Sequence, residues 1–281
     1  MSETATCHAV VARLARLFGA DAAQWMAARA TDPDGRPVRV VHSAAAWRDP
    51  STDVLHLVKI APHGPKSATD WFLFNAARAR ADVTLTTGGN LRAEPHVSMD
   101  LAAQHCDELA EALASFRADV TGRPGLPPWP RVAVMTRSPP GDAGAEGGDA
   151  AGASLARHRF VNESNGPVVW CPTDPRTTLR RLCAVAAETA PRGAIPTVLV
   201  EAGGSAMELY GQAVPTDGGS DESACIVTEL VLSLYGGPLA PDLVGPALAP
   251  LEFFETRLAR VTPWATDSPA DAWQFAFFRA R

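Results

Sequence analysis

From residue 54 onward, short apolar runs rich in β-branched residues alternate with stretches whose apolar positions repeat at helical spacing. This alternation constrains the fold more than any single motif. A strand joined to the next through a helix returns to the same edge of a sheet, so successive strands lie parallel and helices cover both faces. Residues 54–60 read as a buried strand. Ser67-Ala68-Thr69-Asp70 then caps a helix that runs to about residue 81. Residues 82–86 form a second strand, closed by Thr87-Gly88-Gly89-Asn90. A helix over 100–118, a proline-rich connection over 124–130, strands at 132–135 and 168–171, and a helix over 177–189 follow. Strands are expected again at 197–200, 225–234, 250–261 and 273–279, the last with Trp273, Phe275 and Phe277 on one face. The strand-rich end predicts antiparallel additions. The fold class is therefore α/β: three layers, α/β/α, around a central, mostly parallel mixed sheet.

Upstream, residues 8–30 carry Val10, Val11, Leu14, Leu17 and Phe18 at helical spacing, with a break at Gly19-Ala20-Asp21. Asp32-Pro33-Asp34-Gly35 is a turn signal, and residues 38–41 suit a short strand. These features divide the chain into an N-terminal helical extension over 1–53 and a main domain over 54–281. Residues 138–156 are low in complexity and read as a flexible surface insertion.

The 281 residues, 46% of them apolar, suffice for one large core. A formal net charge of −6 and the lack of a basic stripe argue against a nucleic-acid partner. No apolar run is long enough to span a membrane, and the N-terminus has no signal-peptide pattern, so a cytoplasmic protein is expected. Cys7, Cys106, Cys171, Cys183 and Cys225 are scattered, without metal-ligand spacing. They read as reduced, small apolar residues, and no metal site is expected.

In open α/β sheets ligands bind beyond the carboxyl ends of the strands, and three segments supply candidate residues there. The first is Lys59, followed by Ala61-Pro62-His63-Gly64. The second is Thr86-Thr87-Gly88-Gly89-Asn90-Leu91-Arg92-Ala93-Glu94-Pro95. The third is Glu201-Ala202-Gly203-Gly204-Ser205, in which Ser205 and Glu208 have the spacing of a capping box. A strand, a glycine turn and a helix start bring backbone N–H groups to a helix N-terminus, where a phosphate is favoured. Two such turns can line one groove, with Ser205 and Asn90 donating to phosphate and Arg92 neutralising its charge. Lys59 and Glu201 would then lie near the reacting atoms. Each residue also has a plainer reading: glycines for tight turns, Lys59 a solvated strand end, Glu201 an ion-pair partner, Arg92 a surface residue, His63 a solvated loop histidine. Gly-x-Ser-x-Gly, Gly-x-x-x-x-Gly-Lys-Ser/Thr, Gly-x-Gly-x-x-Gly and His-Glu-x-x-His are all absent.

The order of Leu57-Val58-Lys59-Ile60-Ala61, Ser67 to Asp70, Ala77-Arg78-Ala79-Arg80-Ala81-Asp82, the 87–95 turn, Leu199-Val200-Glu201-Ala202-Gly203-Gly204 and Glu229-Leu230-Val231-Leu232-Ser233 resembles the RibD C-terminal domain family. These are pyrimidine reductases of riboflavin synthesis with a dihydrofolate-reductase-like fold. The family's Lys-x-Ala on the first strand falls on Lys59. Its Leu-Arg-Ala-x-Ala-Asp falls on 77–82, its Gly-x-x-Thr-x-Arg on 87–92 and its Glu-Gly-Gly on 201–203. The resemblance implies NADPH along the two glycine turns, held by Thr87, Gly88, Gly89, Asn90, Arg92, Ala202, Gly203, Gly204 and Ser205. It also implies hydride delivery to C1′ of a ribosylamino-pyrimidinone phosphate, Lys59 and Glu201 as catalytic groups, His63, Ser67 and Asp70 facing substrate, and a homodimer. The family's Ser-Leu-Asp-Gly is replaced by Pro62-His63-Gly64-Pro65, Thr87 stands for a glycine, Asn90 for the threonine and Ala202 for the first glycine of Glu-Gly-Gly. The substrate is thereby left open, and a catalytically silent nucleotide- or partner-binding relative is the alternative. Neither His-x-Glu nor Pro-Cys-x-x-Cys occurs, so no zinc deaminase is fused to the chain.

Overall fold

The computed structural model describes residues 3–27, 38–100, 107–137, 139–140, 150–190, 195–210, 227–266 and 272–280. The turn expected at 32–35, the first residues of the 100–118 helix, the start of the strand expected at 225–234 and most of the 138–156 insertion lie outside them.

Among the described residues, ten strands form one mixed sheet in the order β5-β4-β3-β6-β1-β7-β10-β9, with β2 pairing β1 and β8 beside this path. The strands are β1 (Arg39–Arg48), β2 (Val54–Val58), β3 (Val83–Thr87), β4 (Arg131–Met135), β5 (Val169–Cys171), β6 (Thr197–Val200), β7 (Glu229–Tyr235), β8 (Val244–Pro250), β9 (Leu258–Arg260) and β10 (Trp273–Ala280). The run β5-β4-β3-β6-β1-β7 is parallel throughout. The antiparallel strands are β2, β8, β10 and β9.

Helices cover both faces. One carries α1 (Glu3–Phe18), α2 (Ala20–Ala27), α3 (Ala68–Arg80) and α5 (Asp107–Thr121), packed on Val41, Leu199, Val231, Phe275 and Phe277. The other carries α8 (Pro175–Thr189), a 3₁₀ helix (Gly203–Tyr210) and α9 (Leu251–Arg257), packed on Val40, Val198, Leu230, Ala276 and Phe278. Along β10 the side chains alternate between the two cores, with Trp273, Phe275 and Phe277 together as the alternation predicts. A smaller cluster joins α4 (Gly88–Ala93), α6 (Ala150–Ala156) and α7 (Arg159–Asn162) to Val132 and Val134 of β4.

Several expectations are corrected. The short strand expected at 38–41 is the first part of a ten-residue strand at the centre of the sheet. Residues 39–48, placed by sequence in an N-terminal extension, therefore belong to the main sheet. Residues 54–60 are not a buried strand: β2 has only Leu55 buried, and Ile60 is 63% exposed. The segment 250–261 is a helix followed by a three-residue strand. The helix expected after Gly204 is a 3₁₀ helix that begins at Gly203, so Ser205 lies inside it and does not cap it. The end of the low-complexity stretch folds as α6, with Leu155 buried.

Both ends of α3 are sealed by side chains. Ser67 Oγ accepts from the N–H groups of Thr69 and Asp70 at 3.2 Å each. At the other end Arg117, fully buried, donates from Nη1 to the carbonyls of Ala79 (3.1 Å) and Ala81 (2.6 Å). A cation there satisfies orphan carbonyls and opposes the helix dipole. Asp82 accepts from Thr197 N at 2.9 Å and pairs with Arg123, joining the starts of β3 and β6. At the same edge Glu229 binds Arg39 (2.8 Å), Arg80 (2.9 Å) and Trp25 Nε1 (2.9 Å). Burial alone would raise the Glu229 carboxyl, but the two guanidiniums and the indole N–H hold it below the usual range.

His42 is buried in β1 with Nδ1 2.8 Å from the Tyr210 hydroxyl, and burial lowers its pKa from 6.5 to about 4. The unfolded chain thus takes up this proton first. His42 costs no stability above pH 6.5, and stability falls as pH drops from there toward 4, by about 3 kcal/mol in total. Urea unfolding of His42→Gln is expected to lose most of this slope between pH 7 and 4.5. A slope equal to that of the wild type would show that His42 is not its source.

Candidate functional site

The site is a fork in the sheet. β1 pairs β7 over residues 41–47 on one side. On its other side it pairs β6 over 39–42 and β2 over 46–48. Between these, Ser43, Ala44 and Ala45 have no strand partner on that side. Ser43 and Ala45 point toward the α3 face and are half-buried, whereas Val41, on the same face, is buried. The fork opens at the carboxyl end of β6, where ligands collect in open parallel sheets.

Glu201, the first residue beyond β6, lies at its rim. Both its oxygens accept from Arg78, from Nε at 2.9 Å and Nη2 at 3.1 Å, and the two side chains are only 4% and 7% exposed. The Arg78 guanidinium also covers the Phe74 ring, 4.0 Å from its centroid. Asp70, Phe74 and Arg78 recur every fourth residue and so form one stripe of α3. The ion-pair reading of Glu201 thus describes its geometry.

The two glycine turns meet directly. Asn90 Nδ2 donates to the Glu201 carbonyl at 2.9 Å, so this amide is used within the protein. Gly203 has φ +59°, and a Cβ there would meet Leu57 Cδ1 at 3.2 Å and Asn90 Oδ1 at 3.5 Å. Leu57 of β2, Asn90 of α4 and the 203 turn therefore converge on one point, which requires glycine. The left-handed residue is Gly203; Ala202, with no positive φ, packs in the core, so its methyl group is accommodated. A Cβ on Gly204 would approach Pro246 to 3.2 Å.

Thr87 caps α4 through Oγ1, which accepts from Asn90 N at 3.0 Å. Gly88 is packed: a Cβ there would lie 3.0 Å from Leu155 and 3.2 Å from Arg92 Nη1. Gly89 faces open space apart from Thr87 Oγ1 at 3.5 Å. Arg92 is exposed and its guanidinium reaches back over the first turn of α4.

The remaining candidates sit elsewhere. Lys59 lies just past β2, its Nζ donating to the Asp242 carbonyl at 3.1 Å, and His63 Nε2 is 2.9 Å from Asp242 Oδ2 on an exposed surface. The first strand of the sheet is β1, whereas Lys59 lies just past β2, in the hairpin that follows β1. Ser67 is occupied as the α3 cap. The carboxyl of Asp70 is buried against Ser233 of β7, and burial raises it above the usual carboxylate range.

Sequence reading missed Arg78, Ser43, Ala45 and, as a site residue, Glu94. The Ser-Ala-Ala-Ala run over 43–46 was a usable signal, because small residues in a central strand leave space above them. Glu94 ends α4 beside Glu201 and Arg78, and its Oε1 accepts from Ile60 N at 3.5 Å.

No family model and no curated protein sequence matches this chain. Among solved structures it is similar to a pyrimidine reductase-like protein of Corynebacterium diphtheriae, at 16% identity and a TM-score of 0.48, covering 87% of this chain and 92% of that one. It is also similar to RibD of Acinetobacter baumannii, at 12% identity and a TM-score of 0.45, covering 87% of this chain and 58% of that one. A third is dihydrofolate reductase of Enterococcus faecalis complexed with NADP(H), at 12% identity and a TM-score of 0.42, covering 86% and 96%.

Removing one member of a buried ion pair strands the other. Arg78→Met is expected to cost about 3–5 kcal/mol in urea unfolding, with most of it recovered by adding Glu201→Leu. A single-variant loss below about 1 kcal/mol would mean the pair is solvated like a surface bridge.

Proposed function

We propose that the chain is an NADPH-dependent reductase acting on a ribosylamino-pyrimidinone phosphate or a related heterocycle. The observation that carries this reading is the hydrogen bond from Asn90 Nδ2 to the Glu201 carbonyl, which sets the two glycine turns side by side at the carboxyl ends of β3 and β6. The motif order shared with the pyrimidine reductases supports it. The residues suit a phosphate-bearing cofactor. A helix and a 3₁₀ helix start here, their first N–H groups have no intrahelical acceptor, and Arg92 brings a cation to the same turn. Gly88, Gly89, Gly203, Gly204 and Ser205 would contribute backbone donors, and Arg92 charge. Asn90 and Thr87 would shape the turns, since both side chains already bond within the protein.

NADPH, when bound, supplies a hydride. The chain's own part is to hold the acceptor. Ser43 and Ala45 leave room for a flat ring, Asp70 and Ser233 can hydrogen-bond its edge, and Arg78 fixes Glu201 beside it. Arg78 would also keep Glu201 in one orientation, so that its carboxylate acts by position and charge. Lys59 is assigned no step, because its ammonium is held at the outer surface by Asp242.

A second reading is a silent nucleotide-binding relative. It is favoured by the complete engagement of Glu201 by Arg78 and by Pro62-His63-Gly64-Pro65 in place of the family's substrate loop. Titration with NADPH followed by fluorescence, then an NADPH-oxidation assay with the ribosylamino-pyrimidine phosphate, separates the two. The reductase reading expects saturable binding and turnover, with binding weakened about tenfold by Arg92→Ala. Binding without turnover favours the silent relative, and no binding removes the cofactor claim.

A further inference from the structure

Reducing a C=N or C=O bond needs a proton as well as a hydride, and the residues around Glu201 divide unequally in their capacity to hold one. Both Glu201 oxygens are engaged by Arg78 in a buried pair. Glu94 has no such partner among the described residues: its carboxyl accepts only a long bond, 3.5 Å, from Ile60 N. Its backbone is fixed, with Glu94 N donating to Asn90 O at 2.9 Å and His158 Nε2 lying 3.3 Å from Glu94 O. Glu94 thus stands one helical turn past Asn90, whose side chain bonds the Glu201 carbonyl, and its carboxyl reaches the chain leaving β2.

We propose that Glu94 is the proton donor of this cleft, giving its proton to the acceptor's heteroatom as the hydride reaches carbon. The proposal rests on the reductase reading. For a ring-opened ribosylamine the balance is simple. Hydride adds to C1′, the C1′=N π pair moves to nitrogen, and that pair takes the proton from the Glu94 carboxyl. The substrate is reduced, NADPH is oxidised to NADP⁺, and Glu94 recovers a proton from water. The groups facing Glu94 support this role. Burial pushes its carboxyl above the usual range, the Ile60 N–H opposes this, the Glu201 charge adds to it and Arg78 partly offsets it. Two neighbouring carboxyls in unlike surroundings are the usual mark of an acid and its charged partner. Asp70, the other raised carboxyl of the cleft, is bonded to Ser233 of the sheet.

Glu94→Gln keeps size and hydrogen bonding but carries no transferable proton, and Glu94→Asp restores one. In the wild type the single-turnover rate is expected to fall as pH rises through the Glu94 pKa. Glu94→Gln is expected to be about 10²-fold slower at low pH and to lack this limb, while Glu94→Asp retains the limb and NADPH affinity is unchanged in both. Infrared titration of the ligand-free protein gives a readout independent of turnover: a carboxylic-acid C=O band persisting above the ordinary glutamate range, absent in Glu94→Gln. Wild-type turnover with an unaltered rate and pH profile in Glu94→Gln would overturn the role of Glu94 and leave the reductase standing. So would lack of a band difference. Wild-type protein that binds NADPH but never oxidises it would overturn the reductase reading, and this proposal with it.

Discussion

β1 has neighbours of unequal length, and the site follows from that. Its ten residues pair with all seven of β7 on one side, but with only four of β6 before the chain of β6 ends. The empty stretch is bridged further along by β2, whose hairpin returns to β1 at Ala46. A sheet with complete ladders would bury its backbone groups and offer no opening. Here the missing strand segment is the opening, and the glycine turns after β3 and β6 stand at its edge.

Buried charge marks both ends of the parallel strands, in different balance. At the amino edge Glu229 is shared by Arg39 and Arg80, joining α2, β1, α3 and β7. At the carboxyl edge a single arginine meets Glu201, with Glu94 close by. Burying such pairs costs desolvation that their attraction offsets only with good geometry, and loss of one partner is expensive. α3 carries the arginines of both clusters, Arg78 and Arg80, so its caps at Ser67 and Arg117 set the position of the site as well as of the core.

Much of the architecture was legible because local signals agreed. Ser67 marked the start of α3, and alternation along β10 separated its two faces. The parallel core followed from strand–helix alternation. The errors have physical causes. β8 was not assigned from the sequence; it contains Gly245, Pro246 and Pro250, which an edge strand with a shifted register tolerates. A strand was expected over 250–261, yet 251–257 form a helix whose Phe254 packs into the core. β1 was underestimated because alanines at 44–46 have low strand propensity and are placed there by pairing with the parallel strand β7. In the site, local spacing located the glycine turns but could not reveal Arg78–Glu201, a contact across 123 residues. It also could not show that Lys59 turns outward to Asp242.

The fork has a mechanical side. β2 and β8 form a leaf attached to the main sheet by three register pairs with β1, while Leu57 on that leaf closes against Gly203. This leaf lies off the parallel run of strands, so it can loosen while those strands stay folded, at the expense of the Leu55 and Ala249 burial it brings to the core. Its backbone amides should then exchange with solvent through a local opening that widens the cleft, well before global unfolding. Entry to the cleft and the stability of the core are thereby set by separate parts of the sheet.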